Sequence, residues 1–140
     1  MPYAVRLLAR QWLGLIIVAG LAGITGCESS NGALKFSGSV AVSLEAAEKR
    51  GRVTARLANL VAITLPPAPP GFEWQLAFHD TRYLKQHTGI LLPQNPSEGS
   101  TVSFVAVTTG STRLRFLLLP VTPGRAVDPL DQQELIVTIR

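Results

Sequence analysis

Cysteine is all but missing from this chain: one of its 140 residues, Cys27, carries a thiol. No internal disulfide can form, so the folded part must be held by an apolar core. Histidine is nearly as scarce, with His79 and His87 alone. No group of His, Cys, Asp and Glu has metal-ligand spacing. There is no Gly-x-Ser-x-Gly elbow and no phosphate-cradling glycine loop. His79-Asp80 is the one suggestive neighbour pair, and it falls where a strand leaves its alternation, so it reads as an exposed strand end. Asp128 and Asp131 flank Pro129 and Leu130, which is ordinary turn chemistry. With no activated nucleophile, metal or paired acid and base, the chain reads as a non-enzyme with no cofactor. A nucleic-acid footprint is also lacking. The net charge is +4, and the cations are scattered apart from Lys49-Arg50-Gly51-Arg52. That cluster reads as a solvated turn; the second reading lays it against anionic headgroups. Internal repeats, low-complexity tracts and long helical periodicity are absent as well.

What is present begins with an export signal. Arg6 and Arg10 form a short basic segment, and residues 12–22 are almost wholly apolar. That run is shorter than the ~20 residues a membrane helix needs, and it fits the apolar core of a signal peptide. Small residues then lead to the cysteine in Ile24-Thr25-Gly26-Cys27. This resembles the lipobox of bacterial lipoproteins, in which the cysteine receives diacylglycerol. The expectation is a signal peptide over residues 1–26, a lipidated Cys27 with a short flexible linker over 27–38, and a domain over 39–140. The protein would be a membrane-anchored lipoprotein of the cell envelope, facing the periplasm. The mature chain, about 114 residues, is long enough for one domain with its own core.

The rest of the chain reads as strands by its period-two alternation. Val40, Val42 and Leu44 form the first. A polar stretch over residues 45–50 reads as a helical turn. Val61, Ile63 and Leu65 follow, and Pro66 stops that strand. Phe72, Trp74, Leu76 and Phe78 share one face, with Glu73, Gln75 and His79 on the other. Val102, Phe104 and Ala106 come next. Leu114, Phe116 and Leu118 alternate with Leu117 and Leu119, so this strand reads as covered on both sides. Leu135, Val137 and Ile139 close the chain. Short strands parted by Pro- and Gly-rich connections (residues 66–71, 93–100 and 120–129) point to an all-β sandwich. Pro70-Gly71 has the residue order of a type II turn.

The segment Leu60-Val61-Ala62-Ile63-Thr64-Leu65-Pro66, with Gly71, Phe72 and Trp74 after it, resembles the chagasin family. These are small immunoglobulin-like inhibitors of papain-family cysteine peptidases. The likeness runs with small gaps from about Val40 to Arg140. It implies an immunoglobulin-like β-sandwich of the chagasin type that blocks a peptidase cleft with three loops. The family's first loop, Asn-Pro-Thr-Thr-Gly, falls on Pro67, Ala68, Pro69, Pro70 and Gly71, where Gly71 alone matches. The second, Gly-x-Gly-Gly, falls on Ser97, Glu98, Gly99 and Ser100, where Gly99 matches. The third, Arg-Pro-Trp, falls on Leu119, Pro120 and Val121, where Pro120 matches. The implied partner is a papain-like cysteine peptidase. The alternative is an envelope lipoprotein that keeps the fold for a structural or protein-interaction role and does not inhibit.

Overall fold

Alternating apolar residues put every second side chain on one side of a strand, and in this protein those sides face each other across two sheets. A computed structural model describes residues 35–122 and 127–140. The export signal, Cys27 and the linker up to residue 34 lie outside the described residues, as do residues 123–126. The chain runs through β1 (Gly38–Ser43), β2 (Arg50–Ala55), β3 (Asn59–Thr64), β4 (Phe72–Phe78), β5 (Leu84–Leu91), β6 (Thr101–Ala106), β7 (Gly110–Pro120) and β8 (Asp131–Ile139). One sheet has the order β1-β3-β6-β5 and the other β2-β8-β7-β4. The core between them is built from both, with Val61, Ile63, Phe104 and Leu84 of the first sheet against Trp74, Leu114, Phe116, Leu135 and Val137 of the second. Burying each large apolar side chain contributes about 1.5–3 kcal/mol.

Strand directions decide where the connections lie. β1 pairs parallel with β3 and β2 parallel with β8, while the remaining pairs are antiparallel. The connections β1–β2, β3–β4, β5–β6 and β7–β8 therefore gather at one pole. The chain enters β1 at the other, where the Ser37 amide donates to Ala58 O at 2.8 Å.

Two strands did not show in the alternation. Arg50, Gly51 and Arg52 of the cluster read as a solvated turn begin β2, with Arg50 opposite Glu134. Its inward positions are Gly51, Val53 and Ala55. A Cβ at Gly51 would lie 2.7 Å from Leu44 Cδ2 and 3.1 Å from Leu135 Cδ1, so neighbouring leucines fill the space that an apolar residue of β2 would otherwise occupy. β5 loses its period through two register shifts against β6. There the Ser103 amide donates to the Thr88 hydroxyl at 3.1 Å, so a side chain stands in for a lost ladder bond.

Other readings change in detail. Of residues 45–50, the first four make a single turn, closed by Glu48 N to Glu45 O at 3.1 Å, and Arg50 already belongs to β2. Phe78 does not join Phe72, Trp74 and Leu76 in facing inward. A bulge between Leu76 and Phe78 turns it outward opposite Arg115, and it is 48% exposed. β7 is covered on one side only: Leu114, Phe116 and Leu118 are buried, while Leu117 and Leu119 lie half-buried on the outer face. Trp74 is a core residue, as its alternation implied. Gln133 is fully buried in β8; its amide donates to Glu45 O at 3.3 Å, and its Oε1 has no partner among the described residues.

Candidate functional site

The three proline- and glycine-rich connections come together at one pole, and backbone hydrogen bonds lock them to each other. The first spans residues 65–71. Pro66 is buried, Pro67, Pro69 and Pro70 are exposed, and Ala68 packs back against the core. Trp74 fixes its base from within the sandwich: the indole Nε1–H donates to Pro66 O at 2.8 Å. A buried indole needs such a partner, and a proline nitrogen cannot supply a competing donor. Its tip is a type II turn, with Phe72 N bonded to Pro69 O at 3.2 Å and Gly71 at φ 83°.

The second connection spans residues 92–100. Ser97 N donates to Asn95 Oδ1 at 3.1 Å and Glu98 N to Asn95 O at 2.9 Å, around Pro96. This is an Asx-supported turn. Its return leg is pressed onto the first loop. Leu65 N donates to Ser100 O at 2.8 Å, and a Cβ on Gly99 would sit 1.8 Å from Leu65 O. Only glycine permits that approach. In the third connection Leu119 and Pro120 are half-buried at the end of β7, Val121 is exposed, and Val121 N donates to Gly71 O at 2.9 Å.

The sequence candidates therefore divide by role. Pro67, Pro69, Pro70, Gly71, Ser97, Glu98 and Val121 form the exposed rim. Gly99 and the buried Ser100 hold the first two loops together, while Leu119 faces outward opposite Glu73. Between the first two loops lies an open cleft of about 250 Å³, lined by Ala68, Pro69, Phe72, Leu92, Pro93 and Pro96, with Glu98 among its polar groups. Leu92, 71% exposed, is the most exposed large apolar residue described, and sequence reasoning passed over it. No period marks it, because it lies just past β5 where the alternation had already failed. A fourth connection, residues 44–49, also reaches this pole. Lys49 Nζ sits 2.8 Å from Asp131 Oδ1 and donates to Ala46 O at 2.8 Å, tying that turn to the start of β8.

The pair His79-Asp80 lies at the opposite pole. The His79 ring stands 5.7 Å from that of Phe104. Asp80 accepts from the guanidinium of Arg82 at 2.6 Å and from its backbone amide at 3.0 Å. The Arg82 side-chain hydrogen bond, followed by that from its backbone, holds the Asp80 carboxyl below the usual aspartate value. The bonded pair belongs to a turn, and nothing joins it to the loop pole.

No family model matches the sequence, and no curated protein matches it either. Solved structures do match in fold. The cysteine protease inhibitor EhICP2 from Entamoeba histolytica aligns with a TM-score of 0.59 at 15% identity, over 74% of this chain and 96% of its own. Amebosin aligns at 0.49 with 14% identity, covering 74% of this chain and 97% of its own. PbICP-C, solved in complex with falcipain-2, aligns at 0.43 with 12% identity, covering 71% and 98%. The architecture is an immunoglobulin-like β-sandwich of the chagasin type.

Proposed function

We propose that this protein is a lipid-anchored, non-enzymatic inhibitor of papain-like cysteine peptidases. It acts by filling the peptidase cleft with the loop pole. The observation that carries this reading is the mutual locking of the loops through Leu65–Ser100 and Gly71–Val121. A wedge of stiff loops loses little entropy on docking, and prolines flanking the tip present a poor scissile bond. The likeness in fold to a cysteine protease inhibitor supports the same reading. The Pro67–Gly71 stretch enters the cleft, with Ser97 to Ser100 and Leu119 to Val121 flanking it, and the exposed Leu92 supplies an apolar contact beside it. The anchor is the lipid on Cys27, in the periplasm-facing envelope.

The test is titration of residues 28–140 against papain. Stoichiometric loss of peptidase activity, abolished by Pro70→Asp in a variant that still unfolds cooperatively, supports inhibition. Undiminished activity at micromolar excess refutes it for broad papain-like targets. A second reading, an envelope lipoprotein that uses this pole for another protein, is favoured by one feature. Leu119-Pro120-Val121 offers neither the arginine nor the tryptophan that usually dominates such contacts.

A further inference from the structure

The outer face of the β2-β8-β7-β4 sheet is uncovered by any described element and carries an ordered set of cations. Strand register places Arg50, Glu134, Arg115 and Phe78 in one row across the four strands. The next row holds Arg52, Ile136 and Arg113. A third row adds hydroxyls, from Thr54, Thr138 and Ser111. Neighbouring strands are ~4.8 Å apart and alternate residues ~7 Å apart along a strand. The backbone positions of Arg50, Arg52, Arg113 and Arg115 therefore mark the corners of a block roughly one nanometre wide. The one carboxylate among them is Glu134, whose side chain is 15% exposed and lies 3.5 Å from Arg50 and 3.7 Å from Arg115. Among the described residues Arg52 and Arg113 have no ion-pair partner. The block thus holds three positive charges in excess. Beside it runs a groove of about 480 Å³, lined by Phe78, Leu117, Arg113, Arg115, Pro129 and Gln132.

We propose that this face docks on an anionic lipid bilayer. Guanidinium forks bind phosphate oxygens in pairs, and hydroxyls add further donors. The charges are spread in two dimensions over a sheet face, which matches a plane of headgroups better than a single extended acidic chain. Phe78 stands exposed at the edge of the block, where an aromatic ring can enter the headgroup layer. The docked domain rests on its side, with the loop pole at the edge of the contact and free. This inference goes beyond the proposed inhibition, and it holds with or without a lipid on Cys27.

The test is flotation of residues 28–140 with vesicles; the described core lies wholly between Leu44 and Ile139, so this piece contains everything that holds the fold. Vesicles of phosphatidylcholine are compared with ones containing about 30% phosphatidylglycerol. Binding is expected to favour the anionic vesicles at least about tenfold and to vanish near 1 M salt. Arg52→Glu with Arg113→Glu is expected to lower it at least about tenfold. The same charge change on the other sheet, Lys35→Glu with Lys85→Glu, should leave binding within about twofold. Arg52→Gln with Arg113→Gln serves if the reversal unfolds the domain, and should give an intermediate loss. Equal binding to both vesicles overturns the proposal, as does equal loss in the off-face variant. Capture by polyglutamate without vesicle binding also overturns it and assigns the face to an acidic protein.

Discussion

Gly99→Ala tests the packing of the loop pole at its tightest point. The added methyl would sit 1.8 Å from Leu65 O, with Leu65 C and Thr64 Cγ2 at 3.0 Å, so backbone must move to admit it. Overpacking of this kind costs about 1–3 kcal/mol. The displacement also breaks the hydrogen bond from Leu65 N to Ser100 O, worth about 1 kcal/mol. Together these give a loss of about 2–4 kcal/mol, or roughly 10–25 °C in Tm for a domain of this size. Two other glycines calibrate the result. Gly71→Ala meets nothing within 4 Å but must hold φ 83°, and should cost about 1–2 kcal/mol. Gly89→Ala has open space and ordinary φ, and should be neutral or stabilising by up to about 1 kcal/mol. Urea unfolding of the three variants, with unchanged m-values, reads the order directly. A loss below about 0.5 kcal/mol for Gly99→Ala, or a Gly89→Ala variant weaker than it, would refute the close approach of the two loops.

Three further outcomes follow from single residues. Ala58 holds φ 63° in the turn between β2 and β3, so Ala58→Gly should raise stability by about 1 kcal/mol in urea unfolding; a loss of that size would contradict the left-handed turn. Gln133→Met removes a buried oxygen that has no partner and one long hydrogen bond; the expected net gain is about 1 kcal/mol, and an equal loss would mean that the amide is fully satisfied. The Asp80 carboxyl titrates below its ordinary value of 3.8 because Arg82 bonds it, so its stabilisation is complete above that value and is lost as pH falls through the lowered one. A carbon-detected NMR titration should show this lowering, and Arg82→Ala should return it to the ordinary value; a carboxyl unchanged by Arg82→Ala would remove the pair.

The sandwich was legible wherever inward positions carry large apolar residues of their own. Val61 and Ile63, Leu114 and Phe116, and Leu135 and Val137 gave strands that the structure forms. It was illegible where the signal sits on another element. β2 has glycine at Gly51 because Leu44 and Leu135 occupy that space. β5 is broken by register shifts that Thr88 mends with a hydroxyl. Phe78 kept the right spacing and faced the wrong way, since one bulged residue inverts every position after it. At the loop pole, Pro70-Gly71 declared its turn locally. The locking by Gly99 depends on a backbone some thirty residues away, which no local pattern encodes. Leu92 was missed for the same reason as β5. The basic face was invisible because its arginines come from two strands that are distant in sequence and adjacent only through β8.

Docking of the loop pole in a peptidase cleft is read out by an amide NMR map of residues 28–140 with papain whose catalytic thiol has been capped. Shifts are expected to concentrate at Ala68, Gly71, Leu92, Gly99 and Val121, with the amides of Arg52, Arg113 and Ile136 unmoved. Shifts centred on the arginine face, or none at all with saturating peptidase, would contradict it.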